Sequence, residues 1–369
     1  MTKARIIAYY LPQFYPTPEN DKWWGKGFTE WTNVGRAKPL FKGHEQPKLP
    51  ADLGYYDLRI PEVREEQAQM AKSFGIEGFC YWHYWFGNGE RLLDKVFKEV
   101  LQSGKPDFGF CLAWANIKWG GLPYGDRYER LLKDQLYPGI EDYTNHFYEL
   151  LPAFQDKRYL RIDNKPIFTI YNPTGLPNPN EFIDLWNRLA KENGLDGIYF
   201  IAYQHFDFPY KKLGFDALTP PSPSHLFMRV KHTIIGRIVH RLSGYRYNQL
   251  KNKTLKLRDI FTHKQVVEAS DYSDIPEDIK FFPSCSPNWD HTPRSGTKGQ
   301  VIVETNPELF YKNLLNCFKR IENYKSEEKI IFIKAWNEWA EGNYLEPDQK
   351  IGFENLDQIK KFQEHKFNI

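Results

Sequence analysis

Two carboxylates stand three residues apart in the segment Trp336-Asn337-Glu338-Trp339-Ala340-Glu341, directly after the apolar run from Lys329 to Trp336. Carboxyl side chains at that spacing, at the exit of a buried strand, can point into one cleft. The flanking tryptophans exclude water and lower the local dielectric. Such surroundings push two carboxyl pKa values apart, so that identical groups serve as one acid and one base. Cleavage of a glycosidic bond needs such a pair. The bland alternative has one glutamate capping a turn and the other meeting a surface lysine, and the aromatic setting weighs against it. Glu338 and Glu341 are the expected catalytic residues.

These side chains need a scaffold. Short apolar runs bounded by Gly, Pro or Asn recur at 5–11, 78–86, 108–115, 166–171, 197–203, 217–219, 280–283 and 329–336. Amphipathic helix patterns separate them, among them Ile60 to Phe74, Leu92 to Leu101 and Glu181 to Leu189. Alternating strand and helix implies parallel strands with right-handed crossovers, and about eight strands suffice to close a barrel. An open doubly wound sheet competes, but the first run leads into Leu11-Pro12-Gln13-Phe14, not a glycine-rich phosphate turn. The expected fold is α/β, one (β/α)8 barrel with elaborated loops, and the whole chain, 1–369, is expected to be a single catalytic domain.

In such barrels the site lies at the C-terminal ends of the strands. Aromatic and hydrogen-bonding residues gather at nearly every exit, and aromatic faces stack on sugar rings. Tyr10 and the nearby Trp31, then Trp82 and His83, are expected to bind substrate at the first two exits. Trp114 and Asn116, Tyr171, Tyr203, Trp289 and Asp290, and Asn337 supply the later ones. Aromatic residues make up 17% of the chain, more than packing alone calls for.

Other chemistries find less support. The net charge of +3 is too small for a nucleic-acid surface. His83, His205 and His291 lie at strand exits, but no HxH or HExxH spacing makes them metal ligands, so no metal or other cofactor is expected. Phosphate-binding glycine motifs do not occur. Cys80, Cys111, Cys285 and Cys317 sit in no ligand spacing and read as small buried hydrophobes of a reducing compartment. With no apolar leader pattern at the N-terminus and no run of membrane-spanning length, a cytoplasmic location is expected. One stretch breaks the alternation. From Phe227 to Arg258, within an insertion near residues 224–262, nine basic residues occur without one acidic residue. Ile234, Ile235, Ile238, Val239 and Leu242 are interleaved. This reads either as a solvated excursion or as a segment that meets an anionic membrane surface or a lipid-linked glycan.

The exits also carry a resemblance. Tyr9 to Pro16 and Glu19 to Val34, together with Gln46-Pro47, Leu53 to Leu58, Tyr81 to Phe86, Trp289 to Pro293 and Trp336 to Asp348, closely resemble the WbsX-like proteins. These are similar to glycoside hydrolase family 99. The resemblance implies a (β/α)8 barrel and a metal-free, retaining, endo-acting glycosidase of the α-mannosidase kind, working on a bacterial surface polysaccharide or its precursor. It implies that Glu338 is the base acting on the sugar's own 2-hydroxyl, which closes a 1,2-anhydro sugar. Glu341 would then be the acid/base, with its pKa raised. The neighbouring hydroxyl has a high effective molarity, so no enzyme nucleophile is needed. The chain departs from this pattern at Ile117 and Lys118, where relatives commonly carry an acidic residue. Many WbsX-like proteins are described as glycosyltransferases of polysaccharide synthesis, so transfer from a nucleotide sugar is the alternative. A non-catalytic glycan-binding barrel is a third reading, disfavoured by the presence of both glutamates.

Overall fold

Residues 4–121, 130–232 and 259–365 are described by a computed structural model. Eight barrel strands run β1 (Arg5–Tyr10), β2 (Gly78–Trp85), β3 (Gly109–Trp114), β4 (Lys165–Ile170), β5 (Tyr199–Tyr203), β6 (Ala217–Thr219), β7 (Ser284–Cys285) and β8 (Ile330–Ile333). Neighbours along the sheet are β6-β5-β4-β3-β2-β1-β8-β7, all parallel. A parallel bridge between Leu218 and Phe281, just before β7, joins the two ends and closes the ring. The expected barrel is therefore the fold.

The seventh strand differs from its expected bounds. Phe281 still pairs with β6, but the regular strand begins at Ser284, not Lys280. Pro283 has no N–H to donate, so the ladder is interrupted there. Its carbonyl still accepts from Phe332 N at 3.0 Å.

Every residue of β2 is buried, as expected of a strand covered on both faces. The inward side chains stack in a layer below the C-terminal mouth. Tyr9 lies flat on Trp82 at 4.8 Å and on Phe332 at 5.4 Å, with Tyr203 edge-on at 6.0 Å. Outside, helices α3 (Pro61–Ser73), α4 (Lys95–Ser103), α5 (Ile140–Gln155), α6 (Pro179–Glu192) and α10 (Pro307–Ile321) lie between strands in sequence, α11 (Glu354–Glu364) follows β8, and all contribute buried faces. Short helices decorate the mouth: α1 (Pro18–Trp24) and α2 (Glu30–Arg36) after β1, and α9 (Thr292–Ser295) after β7. The four cysteines are free and buried, with Cys80 and Cys111 in register on β2 and β3.

Of the basic insertion, α7 (Ser224–His232) and the strand Asp259–Thr262, followed by α8 (His263–Ala269), are described, and residues 233–258 lie outside the described residues. Arg229 is ion-paired with Asp274 at 2.8 Å. Among the described residues, no helix is long and apolar enough to cross a membrane.

Asn337 ties the last barrel strand to the first at the mouth. Its side chain accepts from Leu11 N at 2.8 Å and donates to Leu11 O at 3.0 Å, continuing the β1–β8 contact past the last strand residue. Both backbone groups are buried, and each would lose its partner in Asn337→Ala. We expect that substitution to lower unfolding free energy by about 2–4 kcal/mol, with a lower midpoint in urea at unchanged slope.

Candidate active site

The eighth exit is a tight turn. After β8, the backbone passes Lys334 and Trp336, pairs briefly at Asn337–Glu338 with Asn343–Tyr344, and makes one 3-10 turn over Trp339–Glu341. Gly342 ends that turn at φ +53°, and a Cβ there would lie 2.7 Å from Asp290 N. The close approach lets Asp290 N donate to Glu341 O at 2.7 Å, tying the eighth exit to the seventh.

Glu338 and Glu341 face each other across one ammonium group. Lys334 Nζ donates to Glu338 Oε1 at 3.0 Å and to Glu341 Oε2 at 3.3 Å. Trp82 Nε1 donates to Glu338 Oε1 at 2.8 Å. Arg294, from α9, donates to Glu341 Oε1, stands 3.9 Å from Glu338 Oε2, and holds Glu30 of α2 at 3.0 Å. His291 Nε2 approaches Glu341 Oε1 at 3.7 Å, while Ser295 Oγ meets its Nδ1 at 2.7 Å. The Lys334 ammonium also sits over the Trp82 and Trp289 rings, 5.5 and 5.6 Å from their centroids.

This arrangement separates the two carboxyls. Burial pushes Glu338 up, and the charge of Glu341 adds to it, against the pull of Lys334 and Arg294. Burial also penalises the Glu341 carboxylate, but Lys334 and Arg294, with the nearby His291, hold it well below the usual range. For Lys334 the desolvation cost is overcome by the same two glutamates, which keep it charged. The two carboxyls are split in proton affinity, and the direction is the reverse of the expected one. Glu341 was expected to be raised, and it is Glu338 that keeps its proton more tightly. The physical reason is Arg294, which is far nearer to Glu341.

Two lobes of a cleft meet at the pair. The larger-mouthed lobe, about 520 Å³, is lined by Trp82, Tyr84, Trp24, Phe28, Trp119 and Glu30, among others. The second, about 540 Å³, is lined by Tyr171, Tyr203, Trp289, Ser222, Lys298 and neighbours. Tyr171, His291, Ser295, Lys334 and Glu341 border both. Ile117, at the third exit, faces the first lobe, so the departure from the acidic residue of relatives bears on the cleft itself.

Of the expected binding residues, Trp82, Tyr171, Tyr203 and Trp289 reach the cleft with the two glutamates. Tyr171 and Tyr203 stack on each other at 4.9 Å. The others lie outside its lining. Tyr10 donates to Gln67 at 2.7 Å, and Gln67 in turn donates to Glu346 at 2.6 Å. Trp31 packs on Trp339 at 5.6 Å and donates to Tyr56 O at 2.8 Å. His83 shares a 2.7 Å hydrogen bond with His146, and burial holds both imidazoles neutral. Trp114 donates to Trp85 O at 3.0 Å. Asn116 ties the third exit to the fourth through Asn172 N and O, at 2.7 and 2.8 Å. Asp290 is taken by His44 and Gln46, each at 2.6 Å, and Asn337 by Leu11. They brace the exits.

Sequence reasoning missed Lys334, Arg294 and Glu30. Lys334 carried a signal, being one charge at the end of the otherwise apolar Ile-Ile-Phe-Ile run, where burial demands a partner. Arg294 follows the Trp289 to Pro293 motif by one residue. The tryptophans that flank the glutamates in sequence do not touch them. Trp336 packs on Phe79 at 5.2 Å, and Trp339 donates to Glu346 Oε2 at 2.5 Å. The indole on Glu338 comes instead from β2.

Comparison with known proteins places this chain. The model of the family Glycosyltransferase WbsX matches residues 6–359. The chain belongs to that family. Two relatives, each described as uncharacterized protein WxcX, from Xanthomonas campestris pv. campestris strains B100 and ATCC 33913, are both 36% identical over 97% of this chain. The chain spans about half the length of these relatives, 49% of each. Among solved structures, a glycoside hydrolase-like protein superposes with TM-score 0.61 at 15% identity, covering 99% of this WbsX-family chain and 95% of the other. The GH99 endo-alpha-mannosidase from Bacteroides thetaiotaomicron does so with TM-score 0.55 at 16% identity, covering 97% and 95%. These likenesses show a shared fold.

Behind the glutamate-bearing turn of this WbsX-family barrel, burial pushes Glu346 up to about 7 despite hydrogen bonds from Trp339, Gln67 and Tyr56. The folded state therefore holds a proton that the unfolded chain releases near the ordinary 4.5. Stability from this group is complete below that pH and falls as pH rises towards about 7. The total is about 3 kcal/mol. Urea unfolding across this window should show that loss in the parent protein and a flatter dependence in Glu346→Gln.

Proposed function

We propose that this chain is a retaining, endo-acting glycoside hydrolase that cleaves a bacterial surface polysaccharide or its precursor in the cytoplasm, with the barrel as its single catalytic unit. The observation that carries this reading is the buried Glu338/Glu341 pair, held on one lysine at the junction of two cleft lobes and split in proton affinity. A lobe on each side of the acid–base pair suits a glycan that continues in both directions, with the bond to be cut above Lys334. Trp82, Tyr171, Tyr203 and Trp289 offer aromatic faces to its rings.

The chemistry follows the α-mannosidase-like route. Glu338 takes the proton of the 2-hydroxyl as that oxygen attacks the anomeric carbon, Glu341 protonates the leaving oxygen, and water then opens the 1,2-anhydro sugar. Glu338 has the higher proton affinity of the two, so the route requires substrate binding to favour the proton on Glu341. Lys334 touches both carboxylates and stays charged throughout, so it balances either arrangement. Contact with a lipid-linked precursor through the basic stretch belongs to this reading, and its core at 233–258 lies outside the described residues.

The family's description favours a second reading, transfer from a nucleotide sugar. Against it, the cations at the pair, Lys334 and Arg294, are already engaged by Glu30, Glu338 and Glu341, and are not free for a diphosphate.

Product analysis on α-mannoside oligosaccharides and on surface glycans is the direct test. Glu338→Gln and Glu341→Gln should each reduce cleavage by about 10³-fold or more while the circular dichroism spectrum is kept. With a glycosyl fluoride, whose leaving group needs little protonation, Glu341→Gln should recover turnover and Glu338→Gln should not. Undiminished cleavage in both variants, with saturable nucleotide-sugar binding by calorimetry, would replace hydrolysis by transfer.

A further inference from the structure

Asn20 lies in the first turn of α1, on the first lobe of the cleft, and is 1% exposed. Its backbone N–H is satisfied by Thr17 Oγ1 at 3.1 Å, which caps the helix. Its carboxamide is not. Neither Nδ2 nor Oδ1 has a hydrogen-bond partner. A buried amide without partners opposes folding, so the packing of the helix does not account for this side chain. The lobe offers both polar and apolar surface, the apolar part coming from Trp24, Phe28, Ile117, Trp119 and Leu132.

We propose that Asn20 is a specificity-determining residue for an N-acetylated sugar, whose acetamido group enters the first lobe. A carboxamide offers one donor and one acceptor side by side. A secondary amide on the ligand returns one acceptor and one donor, so both orphaned atoms are satisfied together. The acetyl methyl then meets the apolar wall, where a vicinal diol would leave polar hydroxyls against Ile117 and Leu132. The site that results sets an apolar wall beside polar groups that can orient the ligand. Ile117 fits the same picture, because an acidic side chain at that exit would remove apolar surface from the lobe. The inference rests on the glycan-cleaving reading and names the substituent that its substrate carries.

The test is binding, which needs no turnover. The full chain is titrated by saturation-transfer NMR and calorimetry with methyl glycosides of 2-, 3- and 4-acetamido hexoses, each beside its hydroxyl parent. At least one acetamido glycoside should bind at least tenfold more tightly than its parent, with the acetyl methyl receiving the strongest saturation. Asn20→Leu should abolish that preference, and Asn20→Ala serves if the leucine variant fails to fold. If no acetamido glycoside outbinds its parent, or if the preference survives in the folded variant, the proposal is overturned. Failure of the catalytic reading appears elsewhere, as undiminished cleavage by Glu338→Gln and Glu341→Gln, so the two outcomes are separable.

Discussion

The Lys334 ammonium, buried between two carboxylates, is the constraint around which the mouth of this barrel is arranged. A lone ammonium at that depth would be strongly unfavourable, and so would either carboxylate. Together, and with Arg294 and Glu30, they form a closed network in which each charge has an opposite neighbour at hydrogen-bond distance. Removing one member of such a set leaves an uncompensated buried charge, which typically costs about 3–5 kcal/mol. The network therefore requires that β8, α2 and α9 arrive at fixed positions. Because Arg294 sits beside Glu341 and only approaches Glu338, it also makes Glu341 the carboxyl with the lower proton affinity.

The remainder of the mouth holds that geometry. Asn337 secures the turn to Leu11, Asp290 supports it from the seventh exit, and Glu346 anchors Trp339 from behind. Most of the polar residues at the other exits are used in the same way. His83 with His146, and Asn116 with Asn172, connect neighbouring loops and spend their hydrogen bonds on the scaffold. Asn20, which lines the cleft, and Asn343 depart from this background, since both carboxamide atoms of each are buried and unpartnered.

Much of this was legible from residue order. Eight apolar runs with helices between them specify a parallel barrel, because parallel strands need crossovers and their burial on both faces leaves continuous apolar stretches. Glu338 and Glu341 were legible because paired carboxylates after a buried strand have few structural uses. The exit residues were harder to sort. Tyr10 and Tyr171 look alike in sequence, each an aromatic at a strand end, yet one side chain faces Gln67 behind the barrel wall and the other faces the cleft. In a closed, tilted barrel the direction of a side chain depends on strand stagger, which no local pattern records.

The sequence by itself determined the fold class, the family and the carboxylate pair, since periodicity and a contiguous motif are local properties of the chain. Only the tertiary structure decided what surrounds that pair. Arg294 lies 47 residues from Glu341 and Trp82 lies 256 from Glu338, and both contacts exist only because the ring closes. Proton affinity follows from distance to such groups. The expected division of charge between the two glutamates was therefore open to reversal until Arg294 was located, and in the free site it is reversed.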